Sequence, residues 1–181
     1  MSNRIILMRL LPLLPVLALT GLAFPAQAQQ PPNVDLVALA FVGFADGAQV
    51  SNGPEPTTIT QTGPGTFSGT TAGVPGMTLL VVETTPCLFD LTFSDAGQTF
   101  RVRLDLGLIR SVSYSLGGSM GLPEPIRPYD LELEGEPGMA VRPLEDGNTE
   151  PLENSPSLAS SATIEQLQSA ATALKAACPT R

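Results

Sequence analysis

The sequence predicts an α+β domain: a mainly antiparallel β-sheet with one C-terminal α-helix packed on it. Three observations carry this. Two central segments alternate apolar and polar residues about a short turn, the C-terminal segment repeats apolar residues every three or four positions behind a capping motif, and each of these regions holds one cysteine.

The central pair has a readable register. Phe89, Leu91 and Phe93 alternate with Asp90, Thr92 and Ser94, and Phe100, Val102 and Leu104 alternate with Thr99, Arg101 and Arg103. Half-buried antiparallel strands show this period of two. If Ala96 and Gly97 are the central turn residues, Phe93 opposes Phe100, Leu91 opposes Val102 and Phe89 opposes Leu104. One face is then wholly apolar, and the other sets Asp90 against Arg103. A slip of one residue would drive the arginines into the core, so the pattern specifies this register strongly. Arg101 and Arg103 admit an anion site, but a solvated outer face explains them more simply.

The other elements follow in chain order. Val34 to Phe44 is a dense apolar run whose periodicity does not decide between strand and helix; its β-branched and aromatic content leans towards strand. The stretch from 51 to 76 is rich in Thr, Gly and Pro and reads equally as a mobile loop or as a weak hairpin of Thr57 to Gln61 and Thr66 to Thr71 across Gly63-Pro64-Gly65. Met77 to Glu83 predicts a buried strand. Leu108 to Leu116 predicts another, with Val112, Tyr114 and Leu116 on one face and the preceding strand as its neighbour. Tyr129 to Glu134 points Tyr129, Leu131 and Leu133 inward. Residues 145–162 are acidic and rich in Ser and Pro, the composition of a linker. The β-rich domain thus spans 34–144, and the helix at 163–178 belongs to it.

That helix is the clearest local feature. Thr163 and Gln166 match the S/T-x-x-E/Q capping box, and Ile164, Leu167, Ala171, Leu174 and Cys178 form one apolar stripe. Pro179 stops it. Because Cys178 continues the buried stripe, a bond to Cys87 would join the helix to the start of the Phe89 strand.

The N-terminal end of the chain bears on the redox state of the cysteines. Arg4 and Arg9, the apolar run from Leu10 to Phe24, and Ala26-Gln27-Ala28 have the order of a secretory signal peptide spanning 1–28. Cleavage is expected between Ala28 and Gln29, leaving a flexible start at 29–33. This predicts a periplasmic or secreted protein of bacterial type, in a compartment where two cysteines pair. No later stretch is long and apolar enough to span a membrane.

Composition narrows the function. The chain has seventeen acidic and nine basic residues, a net charge of −8 and no histidine. Two of the basic residues lie in the segment to be removed. With Lys175 the single lysine, no basic cluster exists to hold nucleic acid or an anionic membrane surface. Missing histidine removes the commonest general base and the commonest transition-metal ligand.

The remaining motifs are weak. Gly117-Gly118-Ser119-Met120-Gly121 matches the G-x-S-x-G nucleophile elbow, but no histidine can take the serine proton and Pro123 and Pro125 oppose the required helix. Asp146, Asn148 and Glu150 place oxygens at alternate positions, as calcium sites do, without the distal bidentate glutamate. Asp130, Glu132, Glu134 and Glu136 could pair for glycoside hydrolysis if one were buried, whereas a charged strand edge that discourages aggregation requires nothing further. No cofactor and no metal are expected.

The sequence therefore predicts a non-enzymatic binding or structural protein, with a protein partner in the envelope. The alternatives are a small carboxylate-dependent hydrolase and a carrier of a small apolar ligand, which would need a closed apolar pocket of several hundred cubic ångströms.

Overall fold

The computed structural model describes residues 33–51, 55–118, 121–152 and 157–181. The signal segment 1–28, its cleavage site at Ala28 and Gln29, the start at 29–32, and Ser119 and Met120 of the glycine-rich turn lie outside them. Helix α1 (Asn33–Val42) is followed by β1 (Gln49–Ser51), β2 (Pro56–Gly63), β3 (Thr66–Thr71), β4 (Val74–Thr85), β5 (Leu88–Asp95) and β6 (Gln98–Asp105). Then come β7 (Ile109–Leu116), β8 (Arg127–Gly135), β9 (Ala140–Pro143), β10 (Thr149–Pro151), β11 (Ser157–Ser160) and helix α2 (Ile164–Ala177).

All the strands join one sheet in the order β10-β9-β6-β5-β4-β3-β2-β1-β11-β8-β7. Neighbours run antiparallel, and the sheet curls into a half-barrel around the two helices. The core forms where Val37, Ala38 and Phe41 of α1 and Ala170, Ala171 and Leu174 of α2 meet inward residues such as Ile59, Phe67, Leu79 and Phe89.

Tight turns build the continuous run from β2 to β6. Pro64-Gly65 and Pro86-Cys87 each place proline before a residue of positive φ, 63° at Gly65 and 67° at Cys87, the signature of a type II turn. Ala72-Gly73 and Ala96-Gly97 have positive φ at both residues, as type I′ hairpins require. The last of these fixes the expected register: Phe93↔Phe100, Leu91↔Val102, Phe89↔Leu104 and Asp90↔Arg103 all pair. Arg103 grips Asp90 with two bonds of 2.7 and 3.1 Å. That contact holds the guanidinium above its ordinary pKa, through the hydrogen bond first and the charge second.

The structure corrects five expectations. Val34 to Phe44, leaned towards strand, is helix α1 over most of its length; it is enclosed on several sides, so no apolar stripe marks it out. The loop alternative for residues 51–76 gives way to the hairpin: β2 and β3 pair antiparallel across Pro64-Gly65 and bury Thr57, Ile59 and Phe67. In β4, Met77, Leu79 and Val81 are buried, but Leu80 and Val82 face outward at 44% and 43% exposure. Strand β7 pairs with β8 rather than with β6, whose second edge β9 occupies. Within 145–162, read as a linker, β10 pairs with β9 and β11 joins β1 to β8. There the isolated apolar Leu158 and the hydrogen-bonded Ser160 are both buried.

Helix α2 matches its sequence closely. Thr163 Oγ1 accepts from the Gln166 amide at 3.3 Å and Gln166 Oε1 accepts from the Thr163 amide at 2.8 Å, completing the capping box. Leu167, Ala170, Ala171, Leu174 and Cys178 are buried. Cys178 and Cys87 form the disulfide, with Cα atoms 5.5 Å apart. Lys175 reaches back across the fold. Its Nζ donates to the Ile109 carbonyl and to Thr180 Oγ1, the latter at 2.9 Å. Gln168 Nε2 donates to the Val112 carbonyl at 3.4 Å. These contacts cover carbonyls along β7, the strand at one end of the sheet, and an end strand left open invites foreign pairing.

Candidate ligand cavity

The inward face of the β5–β6 hairpin is longer than the core that covers it. Phe89, Leu91 and Leu104 are buried, but Phe93 and Val102 are only half-buried and Phe100 is 44% exposed. Coverage ends where α1 ends. Gly43, at φ 75°, donates to the Leu39 carbonyl at 2.9 Å and turns the chain away, the left-handed cap that glycine favours. A side chain there would also collide with Ser160, whose Oγ donates to the Gly43 carbonyl at 2.7 Å.

Beyond that cap lies a cavity of about 590 Å³. Phe41 and Val42 form its helical side, and Leu79, Leu91, Phe93, Phe100, Val102 and Leu104 form the wall from β4 to β6. Leu133 of β8 and Leu158 of β11, the connector from Gly135 to Ala140, and Pro151 and Leu152 form the rest of the lining, and the cavity stays partly open to solvent. The volume lies within the range of small-molecule sites, which are mostly apolar with a few placed polar groups.

The walls are held rigidly. The Phe44 ring meets Phe93 edge-on at 6.2 Å and Phe67 at 6.3 Å. The connector is tied to the β6–β7 crossing, where the Asp105 amide donates to the Met139 carbonyl and the Glu136 amide to the Leu108 carbonyl, both at 2.9 Å. Nearby, the Tyr114 hydroxyl donates to the Ala40 carbonyl at 2.9 Å, and burial pushes its pKa well above the phenol's ordinary value.

Glu136 is the one ionisable side chain among the described residues that line the cavity. Its carboxylate is half-exposed and pairs with Arg110 of β7. The hydrogen bond and charge of Glu136 hold that guanidinium above its usual pKa.

The other candidates fall apart from this place. Glu132, Glu134 and Asp130 lie on the exposed side of β8, Glu134 accepting from Ser111 Oγ at 2.8 Å. No two of the four carboxylates converge in an apolar cleft. Asp146 is occupied by Asn148, which donates from its backbone amide at 3.0 Å and its side-chain amide at 2.8 Å. Those two contacts, in that order, hold the carboxyl below its ordinary range. Glu150 pairs instead with Arg142. Among the described residues no three His, Cys, Asp or Glu side chains gather as a metal site, and no helix is long and apolar enough to cross a membrane. No protein-family model, no curated protein and no solved structure matches the chain.

The cavity residues were visible in the sequence as apolar positions but not as a site. Alternation shows which face is apolar, while whether a second layer covers that face depends on where α1 stops. The usable signal was the excess of large apolar residues at the turn end of the hairpin, Phe93 and Phe100, where polar residues would serve folding equally well.

Proposed function

We propose that this protein is a non-enzymatic carrier of a small apolar ligand, acting in the periplasm or outside the cell. The cavity supports this reading, because a pocket of about 590 Å³ walled by Leu, Val and Phe can bind hydrocarbon and offers almost nothing to a polar substrate. The Cys87–Cys178 disulfide fits an oxidising compartment, and the signal-like segment 1–28 supplies the route of export. The magnitude is adequate. Burying one methylene contributes about 0.8 kcal/mol, so a chain of about ten methylenes contributes about 8 kcal/mol, which corresponds to micromolar affinity before ordering costs.

The test is fluorescence titration with N-phenyl-1-naphthylamine, an uncharged probe that brightens in apolar surroundings. Saturable micromolar binding is expected. Val102→Trp, which fills the cavity, should weaken it at least about tenfold, the loss produced by about 1.4 kcal/mol of obstructed contact. Val82→Trp, on the outward face of β4, should leave it unchanged. Equal binding by both variants would remove the cavity from consideration, and enhancement without saturation would remove the carrier reading altogether.

A further inference from the structure

Taking the cavity as the ligand site, we infer that its ligand is a single-chain amphiphile with an uncharged, hydroxyl-bearing head group, of the monoacylglycerol type, whose chain lies along the β5–β6 wall and whose head sits at Glu136. The inference rests on the carrier reading above and adds the ligand class to it.

The first step concerns the buried part. Apart from Glu136, the described lining residues are Phe, Leu, Val, Ala, Met, Pro and Gly, so their side chains offer no hydrogen-bond donor and no strong acceptor. A polar group carried inside would lose water without replacement, at a cost of about 1–3 kcal/mol each. The interior therefore selects plain hydrocarbon over peptides, nucleosides, sugars and ring systems with several oxygens.

The second step concerns the head. Among the described lining side chains polarity enters at one place, the connector from Gly135 to Gly138, where Glu136 projects half-exposed. Its carboxylate accepts hydrogen bonds and donates none. A head with hydroxyl groups donates to it with the Arg110 pair intact, whereas a carboxylate or phosphate head can only accept and would have to displace Glu136 from Arg110. None of the described lining residues is Lys or Arg. The Arg110 guanidinium is engaged by Glu136 itself and stands outside the lining. An anionic amphiphile thus finds a cation at the rim only by breaking this pair, a cost beyond any difference in solubility.

The experiment is displacement of bound N-phenyl-1-naphthylamine at pH 8 and low salt, by 1-monododecanoylglycerol and by dodecanoate, both below their aggregation concentrations. In the wild type the glyceride should displace at a concentration at least about tenfold lower, a gap that an anionic head left without a cation at a partly wet rim can supply. Water solubility of the two ligands contributes to that gap, so the variant decides. Glu136→Gln removes the carboxylate and releases Arg110, and the gap should shrink to about threefold or less, since the freed guanidinium can then pair with dodecanoate. Glu136→Asp keeps the charge and should keep the gap, which separates charge from damage to the rim.

A gap unchanged in Glu136→Gln, or dodecanoate displacing as well as the glyceride in the wild type, would overturn the head-group inference and leave the cavity reading intact. Displacement by neither, with the probe still bound, would also overturn it. Failure of the probe itself to bind falsifies the carrier reading instead.

Discussion

Removing the Cys87–Cys178 disulfide should cost the domain more than any single side chain. The two cysteines are separated by 91 positions. In the loop-closure relation, a cross-link of that span lowers the entropy of the unfolded chain by about 15.5 cal/mol/K, about 4.6 kcal/mol at 25 °C. That figure is an upper one, since native strain in a cross-link subtracts from it; separately, Cys87 sits at φ 67°, a backbone region costing any residue with a Cβ about 1–2 kcal/mol. The two contributions separate by substitution. Cys87→Ala/Cys178→Ala removes the cross-link and keeps the strained residue, and should lower stability by about 3–5 kcal/mol, equivalent to roughly 10–18 °C in Tm. Cys87→Gly/Cys178→Ala removes both and should recover about 1 kcal/mol of that loss. The assay is reversible urea unfolding followed by far-UV circular dichroism, compared at constant m. A loss below about 1.5 kcal/mol, with α2 still formed, would refute the unfolded-state argument. A glycine variant no more stable than the alanine one would refute the turn-strain argument.

Two further outcomes follow from single contacts. Thr163→Ala removes the side chain that accepts from the Gln166 amide at the start of α2, and should cost about 1 kcal/mol in the same unfolding assay, while Thr163→Asp, which also caps, should cost far less. Burial raises the pKa of Tyr114 above the unfolded phenol's value of about 10, so the native state holds a proton that the unfolded state releases. Stability from this group is complete below pH about 10 and falls as pH rises beyond it. Thermal melts of wild type and Tyr114→Phe between pH 8 and pH about 11.5 should therefore converge at the alkaline end, and parallel curves would remove Tyr114 from the alkaline response.

What the sequence revealed of the fold was local and two-sided. The β5–β6 register was legible because its outer face carries Asp90 opposite Arg103 and Thr92 opposite Arg101, so any slip puts charge inside. Helix α2 was legible because one face stays wet, which leaves its stripe and its capping box visible. Helix α1 was not, since enclosure from several sides erases the contrast on which periodicity depends. The placement of β7 was equally hidden. The choice between β6 and β8 as its partner is settled by the late strand β9, which claims the edge of β6, and nothing within Leu108 to Leu116 reports that. Nor did the acidic stretch reveal β11, where a lone Leu158 supplies the anchor and the strand's place between β1 and β8 supplies the rest.

The cavity follows from this same long-range geometry, and its existence works against stability. A sheet that curls around α1 leaves uncovered whatever lies past the Gly43 cap, and the simplest sequence for folding would put polar residues there. This chain instead keeps Phe93, Phe100 and Val102 facing the gap, together with Leu133 and Leu158 on the opposite side. Apolar surface left in water forgoes about 25 cal/mol for each Å², and a contiguous apolar patch invites association. At the end strand β7, foreign pairing is opposed by the contacts from Lys175 and Gln168. Phenylalanine, leucine and valine kept along a half-open gap are what the proposed carrier reading explains and folding alone does not require. On that proposal Glu136, the one carboxylate among the described lining residues, would orient the occupant with hydrocarbon inward and donors outward.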